Sequence, residues 1–256
     1  MAKQFSHIFC AFSLVLWFAT SGLIAGCSST PELDTATPEG GFKLAERYEK
    51  DERFEEAITQ YTQVKNKHPY SKLATESELR IADIHFKRDE FIESQAAYQV
   101  FKEMHPSHPR IDYVTYRLGL SFFNQLPATI DRDLSVAERA ILYFDEVTQS
   151  FPKSEFVKEA GENKQKALKM LAEKEYYIGN FYFIRDSYES ALGRFEDVLK
   201  KYPKLGFDAQ ALLGAAVSAY KIQDLGKAKT YFQQLTSEHS NSPEAEKARR
   251  ELGNRI

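Results

Sequence analysis

The stretch ALGRFEDVLKKYP, from Ala191 to Pro203, decides the fold because its spacing recurs. A small residue is followed four positions later by an aromatic and twelve positions later by a proline: Ala191, Phe195, Pro203. The same triad reads Ala57, Tyr61, Pro69; then Ser94, Tyr98, Pro106; then Ala140, Phe144, Pro152. A last copy, Ala228, Phe232, Ser240, has the proline replaced. Residues four apart share one helical face, and proline cannot continue the hydrogen-bond ladder. Each triad therefore predicts a helix with a packed small–aromatic pair and a defined stop. Twelve residues before four of the small residues stands another: Ala45, Ala82, Gly179 and Ala216. Small side chains there let two helices of a hairpin approach closely.

The combined pattern resembles the tetratricopeptide repeat. The expected fold is all-α: a solenoid of five helix-turn-helix repeats at about 42–70, 76–108, 112–153, 172–204 and 209–241, with a C-terminal capping helix at 243–256. The third copy departs from the frame. Its small residue is Gly119, twenty-one before Ala140, so nine extra residues within NQLPATIDRDLS separate its helices. After Pro152 the next frame residue, Gly179, is twenty-seven positions on, where the other repeats have thirteen. The fourteen extra residues are about four helical turns, so one long helix within 155–184 keeps the same face buried, with Gly161 as the place where it could break. Ala160 lies outside the frame and is expected to tolerate enlargement better than Ala191.

Ser71, Ser154 and Ser242 each stand two residues after the proline position and before a helix-compatible run, which predicts helix N-caps. Pro243 suits a first helical position. The mostly charged PEAEKARRELGNRI suits an end that faces water.

The chain opens MAKQFSHIFCAFSLVLWFATSGLIAGC, with Lys3 before an apolar run and Leu23-Ile24-Ala25-Gly26 before Cys27. This resembles the lipobox of bacterial lipoproteins: residues 1–26 a signal peptide, Cys27 the acylated first residue, and 27–41 a lipidated flexible tether rich in Ser, Thr, Pro and Gly. The alternative is an uncleaved anchor from Ile8 to Gly26, near the minimum spanning length. Of the two cysteines, Cys10 leaves with the signal peptide, so no disulfide is expected. Ser28 in place of Asp implies the outer membrane, facing the periplasm.

A net charge of −3 gives no footprint for nucleic acid. No phosphate-cradling glycine loop, H-E-x-x-H or G-x-S-x-G occurs, so no enzyme is expected, and no cofactor or metal beyond the covalent lipid on Cys27. His105 and His108 are read as loop histidines and Asp131-Arg132-Asp133 as a solvated loop held by local charge pairing. On the repeat frame, the first helices direct Phe42, Leu79, Phe86, Tyr113, Tyr116 and Phe123 toward an inner groove, with Glu46, Asp83, Lys87 and Asn124 among them. Aromatics lining a groove offer pockets to an extended peptide, whereas strong curvature would bury them between helices. Arg194 precedes the packed Phe195 and so points away from it; Arg185 falls in the turn of the same repeat. Both are expected at the surface, as partner-docking residues or paired with Glu189, Glu196 or Asp197.

The acylated cysteine, the repeats, HPRIDYVTYRLGL (His108–Leu120), the insertion carrying Asp131–Asp133, FPKSEF (Phe151–Phe156) and Lys174–Pro203 together resemble the BamD (ComL) family of outer-membrane assembly lipoproteins. The resemblance implies a non-enzymatic part of the β-barrel assembly (BAM) complex. Its C-terminal repeats, with Arg185 and Arg194, would dock on the POTRA domains of BamA, and its N-terminal repeats would engage the C-terminal signals of β-barrel precursors. BamC-like and BamE-like lipoproteins are further implied partners. A rival reading is a repeat adaptor lipoprotein of another envelope system, such as a Tol-Pal coordinator or a pilus or secretion pilotin. A cell-wall enzyme with accessory repeats is left no room after Gly41.

Overall fold

The computed structural model describes residues 33–256. Among these the chain forms eleven α-helices: α1 (Pro38–Lys50), α2 (Phe54–Lys67), α3 (Lys72–Lys87), α4 (Phe91–Met104), α5 (Ile111–Phe123), α6 (Ser135–Ser150), α7 (Val157–Phe183), α8 (Tyr188–Lys201), α9 (Asp208–Lys221), α10 (Leu225–Glu238) and α11 (Pro243–Leu252). Each helix packs on the next through α10, and α11 closes on α9 and α10. The odd-numbered helices also touch two places apart, α1–α3, α5–α7, α7–α9 and α9–α11, and no two even-numbered helices make a comparable contact. A stack that closes up along one row and opens along the other must curve. Odd helices therefore line its inner side and even helices its outer side, the arrangement of a tetratricopeptide solenoid.

The triad residues build the core. Ala57 with Tyr61, Ser94 with Tyr98, Ala140 with Phe144 and Ala191 with Phe195 are all buried, as is Ala228, with Phe232 half-buried. The small partners are there for close approach: a Cβ on Gly119 would come within 2.9 Å of the Phe144 ring, and one on Gly179 within 2.9 Å of the Phe195 ring. Gly214 of α9, outside the sequence frame, closes on the other edge of Phe195, where a Cβ would stand 2.4 Å from Cε2.

Helix ends repeat as faithfully. His68, His105, Phe151 and Tyr202 stand just before a proline and leave the helix with ψ between 47 and 57°, because a following proline disfavours helical geometry. His239, which precedes Ser240, ends α10 in the same way at ψ 37°. In the turns inside four of the five hairpins, all but the one that carries the insertion, Glu52, Asp89, Asp186 and Gln223 adopt φ of 58 to 64°. The next N–H bonds back five residues, as in Arg53 to Tyr48 O and Glu90 to His85 O, a Schellman closure without glycine.

Four expectations are corrected. The flexible tether does not extend to Gly41: α1 starts at Pro38, where the Thr37 hydroxyl accepts from Gly40 N–H at 3.1 Å. Gly40 and Gly41 are buried, and a Cβ on either would strike the Asp34 carbonyl or Val64. Ser71 and Ser242 are N-caps, but Ser154 is not; its hydroxyl bonds Phe156 N–H and the helix starts at Val157. α7 runs unbroken through Gly161. Ala160 is fully buried in the core of α3 to α6, because the first turns of α7 pack on the preceding hairpin. Cys27, the signal peptide and the start of the tether lie outside the described residues.

The insertion between α5 and α6 is held by hydrogen bonds rather than by the expected charge pairing. Asp133 accepts from the N–H and hydroxyl of Ser135, and the Arg132 carbonyl accepts from Lys174 of α7.

Candidate functional site

On the inner side, the six aromatic and aliphatic side chains expected to line a groove divide into two sets. Phe42, Leu79 and Tyr116 are core residues, 9, 0 and 6% exposed. Phe86, Tyr113 and Phe123 are partly buried against the core that holds Leu79 and Tyr116. The cause lies in local packing: Phe42 meets Tyr61 of its own hairpin at 5.2 Å between ring centres, and Tyr116 is covered by the residues that lead into α7. Tyr116 stacks on Phe156 at 5.0 Å and its hydroxyl donates to Glu159 of α7, while Phe123 meets Phe144 edge-on.

What remains accessible is organised around Asp83 of α3. Its carboxylate accepts from the Tyr98 hydroxyl of α4 and, at 2.7 Å, from the Tyr113 hydroxyl of α5. Arg117, one turn further along α5, donates to Tyr98 Oη at 3.3 Å and lays its guanidinium 3.7 Å from the centre of the Phe86 ring. Burial, reinforced by the Asp83 carboxylate, pushes the Tyr113 hydroxyl up to about 12 and raises Tyr98 further still. A related cluster lies one hairpin earlier, where Tyr61 donates to Glu49 and Arg80 pairs with the same carboxylate at 2.9 Å. The tyrosines and the arginines of the two clusters are each 37 residues apart in sequence. Sequence reasoning placed Asp83 and Tyr113 on the inner side but missed Arg117; the readable signal was tyrosine, not phenylalanine, at the aromatic position of the first two triads.

The C-terminal half presents different chemistry. Arg194 is 42% exposed and is bonded across to Glu175 of α7 at 2.9 Å, not to Glu189, Glu196 or Asp197. That bond holds its guanidinium above its ordinary pKa. It lines an open cavity of 590 Å³ between α7 and α8, together with Tyr182, Glu189 and Lys200. Arg185 is exposed at the end of α7, stacked 3.6 Å from the centre of the Phe181 ring and donating to the Phe181 carbonyl. Beside it Tyr177, Phe181 and Ile184 stand 53, 42 and 65% exposed on one helical face. Ile222 and Leu225 are exposed at the next hairpin turn, whose Lys221 reaches over the Tyr188 ring at 5.7 Å. Arg185 and Arg194 thus share a hairpin, but the arginine standing among exposed apolar side chains is Arg185. The sequence frame missed this face because Tyr177 and Phe181 fall between its marked positions.

Among the described residues no group of three or more His, Cys, Asp or Glu could hold a metal ion. His105 bonds Glu78 at 2.7 Å, and His108 packs edge-on against Phe101. No helix among the described residues is long and apolar enough to cross a membrane.

Comparison with known proteins adds three findings. The family model described as "YfiO: Outer membrane lipoprotein" matches residues 36–221, and a tetratricopeptide-repeat model matches residues 210–242. A relative from Neisseria meningitidis serogroup A, called outer membrane protein assembly factor BamD, is 28% identical over 180 residues, covering 67% of this chain and 66% of the relative. One of the same name from Pasteurella multocida is 23% identical over 222 residues, covering 82% and 85%. The chain spans 62 to 66% of the length of the Neisseria relatives it matches.

Proposed function

The chain belongs to the YfiO family of outer-membrane lipoproteins, and from that premise we propose that it is a non-enzymatic scaffold of the machinery that assembles β-barrel proteins into the outer membrane. Its family match over 36–221, with relatives called outer membrane protein assembly factor BamD, carries the reading. In this reading Cys27 carries the acyl chains that hold the chain at the periplasmic face, where several chains anchor stably and one does not. The apolar face of Tyr177, Phe181 and Ile184, with Arg185 beside it, is the dock for the POTRA domains of BamA. An aromatic beside a stacked guanidinium is the type of group that dominates protein interfaces. The Asp83 cluster, with Phe86, Tyr113 and Phe123 around it, receives the C-terminal signal of a barrel precursor. BamC-like or BamE-like lipoproteins complete the assembly.

The test is binding of purified POTRA domains to the full chain and to the Phe181→Ala, Arg185→Glu and Arg194→Glu variants, with helicity checked by circular dichroism. Phe181→Ala is expected to cost about 2 kcal/mol, near thirtyfold in affinity. Arg185→Glu is expected to weaken binding more than Arg194→Glu, which already spends its charge on Glu175. Full binding by all three variants removes this face as the dock.

A further inference from the structure

Ten large apolar side chains stand exposed among the described residues, and three of them lie on α4: Ile92, Val100 and Met104, at 67, 57 and 70%. Ala96 between them is exposed too. A spacing of four makes these residues one continuous ridge, and it runs along the outer side of the stack. α4 already commits Ser94, Tyr98 and Phe101 to the core, so the ridge is additional apolar surface that its own packing does not need. Neither α2 nor α8, which are also outer helices, shows an exposed large apolar residue. Next to the ridge, where α2 and α4 part, a cavity of 430 Å³ is lined by Ile81, Ala97, Val100 and Phe101, with Lys65 and Glu93.

Charge tells which occupant fits. Glu93 and Glu103 are exposed beside the ridge and form no ion pair among the described residues; Glu103 accepts only from Gln99. A second copy of this chain would bring both carboxylates of each molecule together, against one Lys65 apiece, since Lys102 of α4 is already paired with Glu146 at 2.8 Å, and like charges meeting at an interface oppose association. An anionic lipid surface is disfavoured for the same reason, since membrane-binding faces are flanked by Lys and Arg. We propose that the outer face of α4 docks an amphipathic helix of a partner protein, with apolar residues four apart laid along the ridge and Lys or Arg on its flanks facing Glu93 and Glu103. The ridge-and-cavity relief is what the apolar stripe of a helix requires. This inference does not depend on the dock assigned above, which lies on α7.

The experiment titrates two labelled peptides of about 18 residues against the full chain in zwitterionic nanodiscs, with empty nanodiscs as the blank. Both peptides carry leucines four apart; one is flanked by Lys and the other by Glu. The Lys-flanked peptide is expected to bind, the Glu-flanked one not. Val100→Asp should weaken binding at least about tenfold, while Leu142→Asp, an exposed position on α6, leaves it unchanged. A Glu93→Lys, Glu103→Lys double variant should exchange the preference. Circular dichroism keeps loss of fold apart from loss of contact, since all four positions are exposed. Binding of neither peptide, equal binding of both, or self-association of the chain that Val100→Asp abolishes overturns the proposal.

Discussion

Replacing Gly214 by alanine puts the close packing of the C-terminal hairpins to a quantitative test. The new Cβ would lie 2.4, 2.6 and 2.8 Å from Cε2, Cζ and Cδ2 of Phe195. The opposite edge of that ring already sits where a Cβ on Gly179 would be 2.9 Å away, and the side chain is 2% exposed, so the ring has nowhere to go. Restoring ordinary contact needs a displacement of about 1 Å in a close-packed interior. Overpacking of this kind costs about 1–3 kcal/mol, and so deep an overlap belongs to the upper part of that range. Alanine recovers about 1 kcal/mol of helix propensity over glycine. The net expectation is a loss of about 1–2 kcal/mol. Gly161→Ala supplies the comparison, because nothing stands within 4 Å of its Cβ and the propensity gain of about 0.5–1 kcal/mol remains whole. Urea unfolding followed by circular dichroism measures both, and Phe195→Leu should recover part of the loss in the Gly214→Ala background. A Gly214→Ala chain as stable as the parent, or glycine variants that shift in the same direction, would refute the packing argument.

Three further outcomes are expected. Burial and Asp83 raise the Tyr113 hydroxyl from 10.0 to about 12; the stability this group contributes is therefore fully present below pH 10 and is lost as pH rises toward 12, and Tyr113→Phe should remove that part of the fall in urea midpoints taken across the window. Gln223→Gly, at a φ of 64°, relieves about 1–2 kcal/mol of left-handed backbone against about 0.5–1 kcal/mol of glycine entropy, so it should raise stability by about 0.5–1 kcal/mol in the same urea assay. Metabolic labelling with a palmitate analogue should tag the parent chain and not Cys27→Ala; equal labelling removes the lipoprotein reading.

The small–aromatic–proline triad made the hairpins legible in the sequence because it reports which residues must touch inside one hairpin. It carries no information about the angle between one hairpin and the next, and that angle decides the inner side. Leu79 and Tyr116 stand at positions the repeat frame assigns to the inner groove, yet they are 0 and 6% exposed. Ala160 shows the same limit from another direction. α7 serves two hairpins, its first turns packing on α5 and α6 and its last on α8 and α9, so a frame anchored at Gly179 cannot see its first half. The Asp83 cluster was half legible: tyrosine at the aromatic position announces a hydroxyl that needs a partner. The partner was not, because the acid stands twelve residues before Tyr61 but fifteen before Tyr98.

These placements constrain how a peptide can be recognised on the inner side. The helices satisfy their own backbone groups, and the described residues include no strand to which an incoming strand could pair. In the proposed function, a barrel precursor's segment received here would therefore be held by side chains alone. The largest apolar groups there are already engaged, Phe86 under Arg117 and Phe123 against Phe144, while Lys87, Asn124 and Glu46 remain exposed. A ligand that gained affinity by inserting an aromatic would first have to displace Arg117 from Phe86, giving up a cation–π contact and the bond to Tyr98. A ligand that offered a carboxylate to Arg117 would keep the stack and add a charge-assisted bond. The geometry thus favours a chain terminus over an internal aromatic segment at this cluster. Competition between a peptide with a free C-terminal carboxylate and its amidated form separates the two: preference for the free acid, lost in Arg117→Gln, is the expected result, and equal binding of both forms would locate the recognition elsewhere.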